Sequence, residues 1–237
     1  MEAHHFSYCT DATWVGRSDC QNCDIRRTVL FSALKESELG HLLHPVNNLR
    51  LAAKGTLYNG GDAGSDVFTV RKGLVRLVHY APNGTKRIVR LHKAGSVIGM
   101  EVLIGTHYRH SAEAVSDTDL CRIPVEVVAH LESGNPALHT ALMQRWQSSL
   151  NDADNIITQL STGSAQARVA RFILQVAIDL QRTECHHLSR EDIAALLGLT
   201  VETVSRIFAD FKRQGWLVEG EDYLHINAAE LERLAAG

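Results

Sequence analysis

Between Leu49 and Ile123 the apolar positions come in short runs of strand length, separated by glycine-bearing turns. In Leu74-Val75-Arg76-Leu77-Val78-His79 apolar and polar positions alternate, and Pro82-Asn83-Gly84 marks a hairpin turn between two such runs. This pattern predicts a small antiparallel barrel or jelly roll, an architecture of about eight strands. After Pro136 the period changes. Leu142, Trp146, Ser149, Ala153, Ile156 and Leu160 follow one another at steps of 4, 3, 4, 3 and 4, the seam of a coiled coil, with Leu138 and Leu150 flanking it and Gly163 ending it. The spacing predicts a long helix pairing with a second copy in a homodimer; the other reading is a helix packed on its own barrel.

From Ser164 the pattern is that of a second compact unit. ARVARFILQVAIDLQR has the period of an amphipathic helix. Ser189 is placed to cap a helix through Leu197, with Asp192 three residues on; Gly198-Leu199-Thr200 makes a tight turn, and Thr200 caps a second helix ending at Gly215. Two short helices joined by a three-residue turn are a helix-turn-helix, and WLVEGEDYLHI supplies a β-wing. The fold expected is α+β: an N-terminal jelly-roll β-barrel, a long dimerisation helix and a C-terminal winged helix-turn-helix domain. The expected divisions are a cysteine-bearing segment 1–28, a barrel 29–135, a helix 136–162 and a winged unit 163–237.

Composition narrows this only a little. A chain of 237 residues, 45% of them apolar, can bury two modest cores. No signal peptide and no run long enough to cross a bilayer is read, so the expected location is cytoplasmic, with no membrane partner. The net charge of −3 gives no global attraction to nucleic acid, and the stretch from Gly163 on holds 8 Lys/Arg against 11 Asp/Glu. DNA binding would therefore rest on local placement: Arg168, Arg171, Arg190, Arg206, Lys212 and Arg213 for phosphates, and the first turns of the second helix for bases. There, Val201, Glu202, Thr203, Ser205 and Arg206 occupy the part of a recognition helix that meets base edges. Arg206 can donate twice to guanine, Glu202 can accept from cytosine, and Ser205 can serve either. A Glu and an Arg four apart can also simply form a surface ion pair.

Three of the five cysteines, Cys9, Cys20 and Cys23, fall within fifteen residues ahead of the barrel. In a reducing compartment such a group reads as metal ligands or redox thiols sooner than as disulfides, and five is an odd number. Cys121 lies on a late barrel strand, and Cys185, in TECHH, reads as an exposed or half-buried thiol.

The motif LGLTVETVSRIFADFKRQGWL, the stretch GGDAGSDVFTVRKGLVRLVHYAPNGTKRIVRLHKAGSVIG and the long helix between them resemble the CRP/FNR family of bacterial transcription regulators over nearly the whole chain. The Glu202, Ser205, Arg206 spacing resembles the FNR branch. That resemblance implies a dimer reading a TTGAT-type half-site in an inverted repeat, and an RNA polymerase contact through exposed loops, here near Arg109 and Gly84. The cyclic-AMP branch needs a Gly-Glu pair and an Arg-Ser pair; here Met100 intervenes between Gly99 and Glu101, and His110-Ser111 stands in place of Arg-Ser, with Arg109 adjacent. FNR-like proteins instead hold a [4Fe-4S] cluster on three N-terminal cysteines and one barrel cysteine. Carried over, Cys20, Cys23 and Cys121 match; Val29 stands where a further cysteine is usual, and Cys9 supplies the fourth thiol if a flexible loop including Gly16 folds back. A zinc or thiol-disulfide switch on the same cysteines and haem bound through histidine remain alternatives. No paired-histidine and glutamate motif of a cupin enzyme occurs in the β region, so the expectation is a regulator and not an enzyme.

Overall fold

The computed structural model describes residues 10–20, 23, 31, 46–177, 183–186, 188–220 and 223–236. They group into two compact units, Met1–Thr85 with Val89–Ser149, and Leu150–Gly237 with Lys86–Ile88.

The first unit is a two-sheet jelly roll. One sheet has five strands in the order β1 (Thr13–Arg17), β2 (Asn47–Leu51), β9 (Thr118–Pro124), β4 (Asp66–Lys72), β7 (Val97–Ile98). The other has the order β3 (Thr56–Tyr58), β8 (Ser111–Ala114), β5 (Leu74–Tyr80), β6 (Lys86–Lys93). Alternate residues point inward on β2 and β9, which is why Leu49, Leu51 and Leu120 are buried beside polar neighbours, whereas β5 does not follow the expected alternation: Leu74, Val75, Leu77 and Val78 are all buried. A 3₁₀ turn, Met100–Leu103, and helix α1, Val125–Gly134, close the barrel, α1 burying Val127, Val128 and Leu131.

Strand β1 corrects the sequence expectation. The residues between Cys9 and Cys20 are expected as a loop free to fold back, yet Thr13–Arg17 pairs antiparallel with β2, Thr13 opposite Arg50 and Arg17 opposite Asn47. A bulge between Trp14 and Gly16 lets the strand follow the sheet edge, with Gly16 at φ 150. Trp14 Nε1 donates to Asn47 Oδ1 at 3.2 Å.

Helix α2, Pro136–Asn155, begins with proline at its first position, and the Asn135 side chain accepts from the amides of Ala137 and Leu138. A π-helical turn, Ile156–Leu160, follows it. The predicted seam divides: Leu142 is buried in the barrel's own core with Leu138, and Trp146 packs on that core. Leu160 is buried within the second unit. Leu142 therefore follows the alternative reading of a helix packed on its own barrel.

In the second unit, helix α3 (Ala165–Gln175), strand β10 (Glu184–His186), helices α4 (Arg190–Leu197) and α5 (Val201–Arg213), strands β11 (Leu217–Glu219) and β12 (Tyr223–Ile226) and helix α6 (Ala228–Ala235) surround a core of Phe172, Ile193, Val204, Ile207, Phe208, Phe211 and Leu231. Helix α3 stops sooner than its apolar run suggests, because Ala177 turns into a bridge with Cys185. The wing is three-stranded, β10-β12-β11, where the sequence suggested only the hairpin. Cys185 on that extra strand is buried, not exposed, and burial pushes its thiol up to about 12.

Candidate thiol site and nucleic-acid interface

Cys121 sits on β9, the central strand of the five-stranded sheet, directly opposite Asn48 on β2 and Thr69 on β4. Residues opposite one another share a face, so these three side chains crowd one spot. Cys121 Sγ donates to Asn48 Oδ1 at 3.6 Å; Ser18, just beyond β1, donates to the same oxygen at 2.7 Å and to Cys121 Sγ at 3.7 Å; Arg71 Nη1 donates to Asn48 at 3.2 Å. The hydroxyl of Thr69 is buried with no hydrogen-bond partner.

Cys20 lies against the edge of the barrel core. Burial above all, then the neighbouring Cys121, Cys23 and Asp19, pushes its thiol up to about 11, while Arg71 acts in the opposite direction. Cys20 is thus within electrostatic reach of both Cys23 and Cys121, although Cys20 and Cys121 are 101 positions apart. Cys9 lies outside the described residues. Among the described residues no group of three or more His, Cys, Asp or Glu side chains forms a metal cage. The donor chemistry nevertheless suits a thiolate-held group. Each added thiolate here opposes the others unless positive charge joins them, and the Thr69 hydroxyl beside Cys121 has hydrogen-bonding capacity in hand.

The stretch where the cyclic-AMP branch would hold its ligand is otherwise employed. Glu101 Oε1 accepts from the Arg109 amide at 3.2 Å, and the buried Ser111 hydroxyl accepts from the Gly60 amide at 3.0 Å. His110, in the expected arginine position, is held below its ordinary pKa chiefly by burial, which Glu101 opposes.

The helix-turn-helix forms as its caps dictate. The Ser189 hydroxyl accepts from the Asp192 amide at 3.1 Å, and Gly198 takes the left-handed conformation at φ 63 that ends α4. The Thr200 hydroxyl accepts from the Thr203 amide at 3.2 Å to start α5. Val204, Ile207, Phe208 and Phe211 face the core, which turns Val201, Glu202, Ser205 and Arg206 out to solvent, with Thr203 half-buried beside its cap. Glu202 and Arg206 form no ion pair with each other; both side chains are exposed.

The other cations expected to meet phosphates are committed inside the unit. Arg168 Nε donates to the Leu160 carbonyl at 2.7 Å, and its Nη2 to that of Leu197. Arg171 donates to the carbonyls of Gln159, Thr162 and Ala235 at 2.6, 2.8 and 2.9 Å. These two arginines close helix ends, a task that sequence spacing alone does not reveal. Arg213 pairs with Asp210, and Arg190 and Lys212 with Glu219.

A recognition helix presented by a winged helix-turn-helix, in a chain that also carries a jelly roll and a long helix, defines a DNA-binding regulator. Comparison with known proteins agrees. Residues 48–134 match the cyclic nucleotide-binding domain and residues 167–236 the Crp-like helix-turn-helix domain. The chain is 28% identical over 224 residues to the fumarate and nitrate reduction regulatory protein of Vibrio cholerae, covering 91% of this chain and 90% of that one. Among solved structures it is similar to FixK2 of Bradyrhizobium japonicum, with a TM-score of 0.73 and 26% identity over 81% of this chain and 98% of that one. It is also similar to a CRP-family transcriptional regulator of Thermus thermophilus, with a TM-score of 0.68 and 27% identity over 79% and 96%. The chain belongs to the CRP/FNR family of transcription regulators, and within it is an FNR-like regulator.

Proposed function

We propose that the protein is a homodimeric regulator of the FNR type, binding TTGAT-like inverted repeats under the control of an oxygen- or nitric-oxide-sensitive [4Fe-4S] cluster held by Cys9, Cys20, Cys23 and Cys121. The observation that supports this reading is the proximity of Cys20 to both Cys23 and Cys121, to which the pairing of β1 with the edge of the sheet whose centre holds Cys121 contributes. When bound, such a cluster supplies an oxygen-labile centre. The chain's own residues do the rest. The Cys121 side chain is oriented by Asn48 and Ser18, and Arg71 offsets the negative charge that thiolates would gather. On the other unit, Arg206 donates to guanine, Glu202 accepts from cytosine, and Val201, Thr203 and Ser205 complete the contact surface.

For dimerisation, Ser149, Ala153 and Ile156 of the predicted seam are half-buried and Leu150 is 58% exposed. Met143 and Ile157, at 42% and 64%, stand seven positions before and after Leu150. Apolar side chains recurring every seven residues along a helix need a partner, so the proposed interface centres on Met143, Leu150 and Ile157, with Ala153 and Ile156 beside them. RNA polymerase would meet the exposed loops near Arg109 and Gly84.

The test is anaerobic purification with iron and sulfide analysis and DNA binding before and after air. The expected result is brown protein with about four iron and four sulfide per subunit that bleaches in air and loses sequence-specific binding. Colourless protein with less than about one iron sinks the cluster; a haem spectrum or bound zinc in its place establishes the corresponding alternative.

A further inference from the structure

We infer that Glu219 is an intramolecular competitor for DNA phosphate, a wing carboxylate that occupies Arg190 and Lys212 and so restrains sequence-independent DNA binding. Ser205, Ala209 and Lys212 are all exposed and follow at steps of four and three, one stripe along α5, so Lys212 lies on the line of the base-reading residues. Arg190 is the first residue of α4, the helix that crosses the DNA backbone in this motif. Both cations meet one carboxylate oxygen: Glu219 Oε1 receives Lys212 Nζ, and Arg190 Nη2 at 3.5 Å. Arg190 is also fixed from below, its guanidinium 3.6 Å from the centre of the Phe208 ring. It cannot swing away from Glu219 without giving up that stacking.

Among the described residues from Gly163 on, Arg206 is the one Lys or Arg with neither an ion pair nor a hydrogen bond inside the chain. This gives a role to the acidic surplus of the unit. Phosphate neutralisation supplies most sequence-independent affinity, so a unit whose cations are already matched relies on its base contacts and on a second subunit. The inference rests on DNA meeting this face of α5. It is independent of the target sequence and of any cluster.

The experiment compares the full-length wild type, Glu219→Gln, Lys212→Gln and the double variant on random-sequence duplex DNA across a salt series. Glu219→Gln is expected to bind roughly three- to tenfold tighter at about 0.1 M salt and to steepen the slope of log affinity against log salt by about 1 to 2 per subunit. Lys212→Gln should change little by itself but remove about 1 from the slope in the Glu219→Gln background. That non-additivity is what a merely structural role for Glu219 would not produce. Unchanged slope and affinity in Glu219→Gln, or weaker binding, overturns the inference and makes Glu219 a positioning residue for the two cations. Should Glu219→Gln fail to fold, Glu219→Asp, reaching less far toward both cations, must shift the slope in the same direction. Failure of the wild type to bind any duplex would instead overturn the assignment of the interface itself.

Discussion

Ser18 Oγ stands 3.7 Å from the sulfur of Cys121, a contact between residues 103 positions apart. It exists because β1 is stitched to β2 and β2 to β9, so the segment leading to Cys20 is carried as a strand to the face where Cys121 lies. Cys20 is brought toward Cys121 by sheet pairing, and the cost of closing a long loop is met by backbone hydrogen bonds.

Serine substitution should therefore separate the thiols cleanly. Cys20→Ser, Cys23→Ser and Cys121→Ser are expected to lose cluster iron under anaerobic purification, and Cys9→Ser likewise if it is the fourth ligand. Cys185→Ser should keep iron, because that thiol is buried in the wing sheet of the other unit. Iron analysis with visible absorption checks the set, and iron retained by Cys121→Ser would refute the assignment.

On the recognition helix, Arg206→Ala should cost about 1 to 3 kcal/mol per half-site and relax the guanine preference, whereas Glu202→Gln should relax the cytosine preference. Titrations against single-base variants of the half-site measure both.

Two leucines on α2 should fail in different ways. Leu150→Glu places a charge on the exposed apolar line and should shift the protein to monomer in analytical ultracentrifugation, with its fold intact. Leu142→Ala should leave the oligomeric state unchanged and destabilise the first unit by about 2 to 5 kcal/mol, because it empties a site in the barrel core. A stable Leu142→Ala monomer would restore the original seam.

His92 makes the barrel acid-sensitive. Burial, helped by the nearby Arg90, holds its ring down at about 4 against an ordinary 6.5, and its Nε2 is buried without a partner. The folded chain thus keeps His92 neutral where the unfolded chain takes up a proton. Stability is complete above pH 6.5 and is lost as pH falls from there toward 4, at up to roughly 1.4 kcal/mol per pH unit. Thermal midpoints of His92→Leu and wild type from about pH 7.5 to 4.5 should converge or cross as the pH falls. Parallel curves would remove His92 from the acid response.

Local rules carried much of the fold to the surface of the sequence. The strand-length apolar run in Leu74–Tyr80, the turn at Asn83-Gly84, the caps Ser189 and Thr200 and the left-handed Gly198 each act within a few residues, so they can be read without knowing what packs where. Strand β1 was not legible in this way. TWVGR is short, holds a glycine and has no buried alternation, and only the free edge of β2 makes it a strand. Strand β10 is a similar case, formed because β12 offers it an edge.

Apart from strands β1 and β10, the sequence by itself determined the main element types, the order of barrel, helix and winged helix-turn-helix, and which recognition-helix side chains face outward, because periodicity and capping are local. Tertiary structure alone decided that Cys20 comes within electrostatic reach of Cys121, that Leu142 serves the barrel core while Leu150 remains exposed, and that Arg168 and Arg171 close helix ends while Arg190 and Lys212 answer to Glu219. Those outcomes depend on partners distant in the chain, and a charge or an apolar side chain does not announce in sequence which of several distant partners will be brought within reach.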